Sequence, residues 1–163
     1  MFDNISLREF NKSDLEAVQI LIYRTIDVCY MAVYPEGAVE FFKNHHSMEN
    51  ILKDAETGHT LVLESEERIV ATGTLFETNV RRVFVDPSFQ GRNLGKSIMK
   101  ELESQAQENA VPIVELEASL PSIRFYEILG YNDRGERFIS LENNQKLIYR
   151  KMTKNLVSVK ESI

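Results

Sequence analysis

The 163-residue sequence contains a single cysteine and no tryptophan. With Cys29 alone no internal disulfide can form, so stability must come from a buried core, and a reducing compartment is expected. Cations are in deficit: 19 Lys and Arg stand against 25 Asp and Glu, a formal charge of −6. Nucleic acid is therefore not an expected partner, because affinity for a phosphate backbone needs clustered Lys and Arg. No apolar run approaches the ~18 residues of a membrane span. The N-terminus, with Asp3 and Glu9, lacks the cationic and apolar layout of a secretion signal. Neither membrane nor export is expected, and the reading is cytoplasmic. The three histidines show no metal-ligand spacing: His45 and His46 are adjacent and point in different directions, and His59 with Cys29 completes no set. No metal is expected. At this length one domain can bury roughly 70% of its unfolded surface.

What is present alternates in type along the chain. Residues 5–10 read as a short strand, followed by Ser13–Asp14–Leu15–Glu16 as a capping box opening a helix with Leu15, Val18, Ile22 and Ile26 on one face. Short helices follow over 36–43 and 48–56, the second capped by Ser47. Residues 60–64 and 68–77 flank the charged turn 65–67 as a hairpin, and 79–85 is a third strand. Leu94, Ile98, Leu102 and Ala106 recur every fourth residue and predict an amphipathic helix over 91–109. A strand over 112–118, a short helix over 122–129 stopped by Gly130, and an antiparallel pair at 137–141 and 146–152 complete a domain over residues 1–153. Residues 154–163 read as a polar tail. The pattern is one mixed α/β domain.

The segment from Val83 to Lys96 concentrates the chemistry. A β-branched strand ends at Pro87, a polar turn follows, and Gly91 and Gly95 open a long helix. Backbone N–H groups converge there and the helix dipole favours negative charge, so a phosphate or pyrophosphate is expected. A dinucleotide-binding G-x-G-x-x-G needs its glycines two and then three residues apart, which Gly91 and Gly95 do not supply. The nucleotide-triphosphate loop G-x-x-x-x-G-K-[ST] finds Gly95–Lys96–Ser97, but Gly91 sits one residue too near.

The stretch Gln90–Gly91–Arg92–Asn93–Leu94–Gly95 resembles the acyl-coenzyme A pyrophosphate loop, Q/R-x-x-G-x-G/A, of the GCN5-related N-acetyltransferases (GNAT). Val83–Phe84–Val85–Asp86–Pro87 is similar to that family's strand and its V-x-P exit. Phe125–Tyr126, with Gly130–Tyr131 downstream, is similar to its F-Y-x-x-x-G-F/Y signature. The resemblance covers roughly residues 60–152. Asn93 departs from it, standing where the first glycine is usual; Asn tolerates the left-handed conformation better than other non-glycine residues.

The resemblance implies a mixed, mostly antiparallel sheet with a splayed parallel strand pair and helices on both faces. It implies acetyl-coenzyme A as co-substrate, lying along Val83, Phe84 and Val85, with its pyrophosphate on Gln90–Lys96 and the Val85 N–H polarising the thioester carbonyl. Ser119 stands where relatives carry a cofactor-contacting asparagine; helix N-capping explains it as well. Tyr126 matches the tyrosine beside the sulfur and is the expected acid for the departing thiolate. For the base, Glu77 is favoured, with Glu115 and Glu117 as alternatives and a water chain as another. Tyr30, Met31, Tyr34, Phe41 and Phe42 line an acceptor pocket, form core, or face a second copy. The expected activity is acetyl transfer to a primary amine, on a small molecule or a protein, by direct attack with no acyl-enzyme. The alternatives are a non-catalytic acyl-coenzyme A-binding module and a small nucleotide-binding protein. Relatives commonly dimerise, so a homodimer is among the expectations.

Overall fold

A computed structural model describes residues 4–156. Seven strands form one sheet: β1 (Ile5–Glu9), β2 (His59–Ser65), β3 (Arg68–Phe76), β4 (Asn79–Val85), β5 (Ile113–Ser119), β6 (Asn132–Ser140) and β7 (Lys146–Asn155). Their spatial order is β1-β2-β3-β4-β5-β7-β6, and all neighbours are antiparallel except β4 and β5. Helices α1 (Leu15–Cys29), α2 (Glu36–His45) and α3 (Met48–Thr57) pack on one face; α4 (Leu94–Glu108) and α5 (Ile123–Ile128) serve the other.

Strand alternation divides the core in two. Leu61, Leu63 and Val70 turn to α4, where Ile98, Met99 and Leu102 are buried, while Val62 and Ile69 turn to Val18, Ile22 and Ile26 of α1. Each such side chain contributes about 1.5–3 kcal/mol by leaving water. Packing of α4 is close enough that a Cβ on Gly73 of β3 would lie 2.4 Å from Ile98 Cγ2.

Several boundaries differ from the sequence reading. The capping box sits two residues earlier than Ser13: Asn11 Oδ1 accepts from the Ser13 N–H at 3.1 Å, and Asp14 Oδ2 accepts from the Asn11 N–H at 2.9 Å. Asp14 is buried and gripped by both terminal nitrogens of Arg8 (2.8 and 2.9 Å), which fixes it as the reciprocal partner. Helix α4 begins at Leu94 rather than Gly91, because Asn93 is left-handed. Strand β7 continues through Asn155, so Lys154 and Asn155, expected in the tail, belong to the sheet; Lys154 Nζ reaches Glu103 at 2.7 Å. Leu156, also expected in the tail, is buried and donates its N–H to the Pro112 carbonyl (2.8 Å); residues 157–163 lie outside the described residues.

Two irregularities of β4 shape the centre of the molecule. First, the β4–β5 pairing exists only at Asn79↔Glu115, where the Asn79 amide donates to the Glu115 carbonyl (3.3 Å) and to Glu117 Oε2 (2.9 Å). Beyond that point the strands separate, leaving one edge of each without a backbone partner. Second, a bulge places Arg82 and Val83 opposite Gly73, with Arg82 in the left-handed region (φ 55°). A bulge re-aims the side chains beyond it. Strict alternation would put residues 81, 83 and 85 on one face. Instead Val80, Val83 and Val85 face α4, while Arg81, Arg82 and Phe84 face α1–α3.

Candidate active site

The separation of β4 from β5 leaves room for two cavities of about 420 Å³ each. The first lies between the 90–96 loop and α5, floored by Val83, Val85 and Leu94 and walled by Phe125 and Tyr126. The second opens on the α2–α3 side and is lined by Phe41, His45, Arg81, Arg82, Glu117 and Tyr149, among others. Tyr30, Val83, Phe84, Ser119, Ser122 and Tyr126 border both.

The loop of the first cavity is made by backbone geometry. Gly91 (φ 80°) and Asn93 (φ 64°, ψ 19°) are both left-handed, and the turn delivers the chain into α4. The first intrahelical bond runs from the Ser97 N–H to the Asn93 carbonyl (3.1 Å), so the amides of Leu94, Gly95 and Lys96 precede it and have no helical acceptor. Gly95 is required for close approach: a Cβ there would lie 3.0 and 3.1 Å from the Phe125 ring and 3.5 Å from Val85. Gln90 Nε2 donates to the Val85 carbonyl at 3.1 Å, which shows that this carbonyl faces the opening between the strands.

The family model for the acetyltransferase (GNAT) domain matches residues 29–155. The chain belongs to the GNAT acetyltransferase family. It is similar to glucosamine 6-phosphate N-acetyltransferase of Candida albicans, 27% identical over 150 residues that cover 85% of this chain and 93% of the relative. Among solved structures it is similar to a GCN5-related N-acetyltransferase from Rhodopseudomonas palustris (TM-score 0.85, 20% identity, 95% of this chain and 98% of that one). The PaiA N-acetyltransferase of Thermoplasma acidophilum in complex with coenzyme A also shares the fold (TM-score 0.70, 15% identity, 93% and 99% covered). The sequence resemblance to GNAT enzymes and the mixed sheet with its splayed parallel pair are thus borne out, and the chain is an acyltransferase.

Most residues singled out from the GNAT motifs converge on the first cavity. Val83, Phe84, Val85, Gln90, Gly91, Asn93, Leu94, Gly95, Lys96, Ser119 and Tyr126 all line it. Arg92 does not; its guanidinium lies over the Phe89 ring, 4.9 Å from the centroid. Ser119 makes no side-chain cap, contrary to the capping explanation; its Oγ accepts from the Tyr30 hydroxyl (3.0 Å) and pairs with Ser122 Oγ (3.0 Å). Glu77 is not brought to the site. It sits exposed in the β3–β4 turn with φ 54° and borders neither cavity. The acidic residue that does reach the second cavity is Glu117. It pairs with Asn79 and, at 3.0 Å, with Lys151, not with Arg81 or Arg82.

The tyrosines divide by role. Tyr34 donates to the Ile148 carbonyl (2.8 Å) and accepts from the Leu120 N–H (2.8 Å), and Tyr30 donates to Ser119, so both are occupied structurally. Burial pushes Tyr30 up to about 12. Tyr126 is 7% exposed; burial, and secondarily Tyr30, push its phenol far above the ordinary value, so it stays a neutral donor. No described residue accepts from its hydroxyl.

Arg81 and Arg82 converge on one carboxylate, Asp54 of α3, with Arg81 at 3.2 Å and Arg82 in direct contact. The sequence reading missed Asp54. A charged residue inside the apolar stripe of the third helix was the available signal. Among the described residues no group of three or more His, Cys, Asp or Glu is arranged to hold a metal ion, and no helix is long and apolar enough to cross a membrane.

Proposed function

We propose that this GNAT domain transfers the acetyl group of acetyl-coenzyme A to a primary amine within a ternary complex. The observation that carries this reading is the meeting of two cavities at Tyr126, a buried tyrosine whose hydroxyl donates to no described residue, in a gap where β4 and β5 no longer pair with each other. The first cavity fits coenzyme A on its own terms: free amides at the head of α4 suit a pyrophosphate, Lys96 adds charge, and the open edge of β4 suits a chain of amides. The amine approaches through the second cavity. The ammonium first loses one proton to water. The neutral nitrogen then bonds to the acetyl carbon, and the carbon–sulfur bond breaks as Tyr126 gives its proton to the departing thiolate. The second N–H proton leaves to water, from which Tyr126 is reprotonated.

Glu117 suits holding the amine better than deprotonating it. Burial raises its carboxyl, but hydrogen bonds from Asn79 and Lys151 outweigh that and keep it below the usual carboxylate range. A weakened base that stays charged is an anchor for an ammonium group. The Candida relative acts on an amino sugar phosphate, which makes small amines the first acceptors to test.

The test is twofold. Acetyl-coenzyme A, and not ATP, is expected to raise the melting temperature, and free thiol is expected to appear only when an amine is added. Stabilisation by ATP alone would sink the reading. Binding without turnover on a broad amine panel would reduce the protein to an acyl-coenzyme A-binding module.

A further inference from the structure

The acceptor-side cavity has a charge layout that its neighbour lacks. Because the bulge turns Arg81 and Arg82 to the same side, two guanidinium groups share the one Asp54 carboxylate, and one positive charge is left in excess. Arg82 is 8% exposed, yet its Nε has no hydrogen-bond partner; His46, 6% exposed, leaves Nδ1 in the same state. Both line the cavity. Buried polar atoms are almost always paired, so two orphans on one cavity wall point to something that completes them. The histidines do not add to the cation count, since burial and then Arg82 hold both imidazoles toward the neutral form.

On the β5 wall the imbalance is reversed. Lys151 is shared between Glu115 (3.3 Å) and Glu117 (3.0 Å), so one negative charge is in excess, and Glu117 lines the cavity. One chamber therefore presents a guanidinium pair on β4 and a carboxylate on β5.

Resting on the acetyltransferase reading, we propose that this cavity selects primary amines that also carry a carboxylate or phosphate, with the ammonium toward Glu117 and the anion toward Arg81 and Arg82. A simple amine would leave the Arg82 Nε unpaired. A diamine would bring a second cation against two guanidinium groups already short of countercharge. An anionic group completes the pair with charge-assisted hydrogen bonds, the stronger kind.

Two matched pairs of amines test this, lysine against cadaverine and phosphoethanolamine against ethanolamine, each pair differing in one anionic group. Binding is read as the thermal shift of the coenzyme A-saturated protein, which keeps the anions off the loop, and turnover as thiol release from acetyl-coenzyme A. In at least one pair the anionic member should give the larger shift and a kcat/KM at least about tenfold higher, equivalent to ~1.4 kcal/mol. A preference confined to lysine identifies a carboxylate, and one confined to phosphoethanolamine a phosphate. Arg81→Gln, at a side chain one-third exposed, should shrink that ratio through KM rather than kcat. Glu117→Gln, as a second variant, should weaken every amine and keep the anionic preference. Equal responses within both pairs, no response from any amine, or preference for the members without an anion would overturn the proposal, as would an Arg81→Gln effect equal on both members. A protein that coenzyme A itself does not stabilise would instead strike the acetyltransferase reading.

Discussion

The two cavities that meet at Tyr126 have the same volume but are made of different material. The first is built from two short stretches of chain, 83–96 and 119–129, with a few residues of α1, and its decisive groups are backbone amides, glycines and apolar walls. The second draws on α2, β4, β5, β6 and β7, with Asp54 of α3 behind it, and its decisive groups are charged side chains held by ion pairs. A site made of backbone tolerates many side chains and recognises one unchanging partner. A site made of side chains changes its preference with each substitution, so one fold serves many acceptors. This is a division of labour between the two sides of β4.

Removing the Tyr126 hydroxyl, on one of the residues that the cavities share, should have the largest effect. Tyr126→Phe keeps the ring that packs between Phe125 and Tyr131 and removes only the donor. A fall in kcat of about a hundredfold or more is expected, with affinity for acetyl-coenzyme A unchanged. Stopped-assay kinetics and a binding titration check both halves; wild-type turnover would remove Tyr126 from the acid role. Next in size is a change confined to the first cavity. Gly95→Ala would push the Phe125 ring by a few tenths of an ångström, because the new Cβ meets it at 3.0–3.1 Å. The KM for acetyl-coenzyme A should rise about tenfold, or ~1.4 kcal/mol, while the ranking of amines stays fixed. A changed ranking would mean that the cavities are not independent.

The same contrast explains what the sequence disclosed. Gly91, Asn93 and Gly95 act within six residues of one another, so the loop was legible as a local pattern, and Gly130 (φ 94°) was legible as a helix stop. The strand pairing of 60–64 with 68–77 followed from alternation and a charged turn. The second cavity was not legible. Its parts are spread from Tyr30 to Tyr149, and the bulge at Arg82 breaks the period-two rule that assigns faces in β4. Glu77 was attractive as the acidic end of a strand, but the hairpin turns there and leaves it in solvent. Glu117 was visible as an alternative base, with nothing in the sequence to say that it borders one chamber with Arg81.

A pH experiment separates the cavities by stability instead of activity. The second holds His45 and His46, and the first holds no histidine. In the folded chain burial, followed by the charge of Arg82, keeps His46 well below 6.5, the value expected of an unfolded chain. Above about pH 6.5 both states carry a neutral imidazole and the contribution to stability is full. As pH falls through that value the unfolded chain takes up its proton first, and stability should drop by up to ~1.4 kcal/mol per pH unit. Denaturant melts between about pH 7.5 and 5.5 should show that slope, and His46→Gln should reduce it to the smaller contribution of His45, whose pKa burial also lowers. Gly95→Ala should leave it unchanged. A wild-type slope that survives His46→Gln would assign the acid sensitivity to another group.

The smallest effect belongs to Asn93, the residue that departs from the glycine of the loop pattern this stretch resembles. Its φ of 64° and ψ of 19° are left-handed, and its side chain makes no capping bond, so what the loop takes from it is backbone alone. Asn93→Gly should therefore change stability by only a few tenths of a kcal/mol and leave the KM for acetyl-coenzyme A within about threefold. Asn93→Val should cost ~1–2 kcal/mol, because a β-branched side chain opposes the left-handed region. Its penalty should appear in the KM for acetyl-coenzyme A rather than in acceptor preference, since the strained residue sets the direction of the amides at the head of α4. If Asn93→Gly instead weakens the cofactor tenfold, the Asn side chain itself takes part in binding, and the first cavity is less purely a backbone site than its geometry implies.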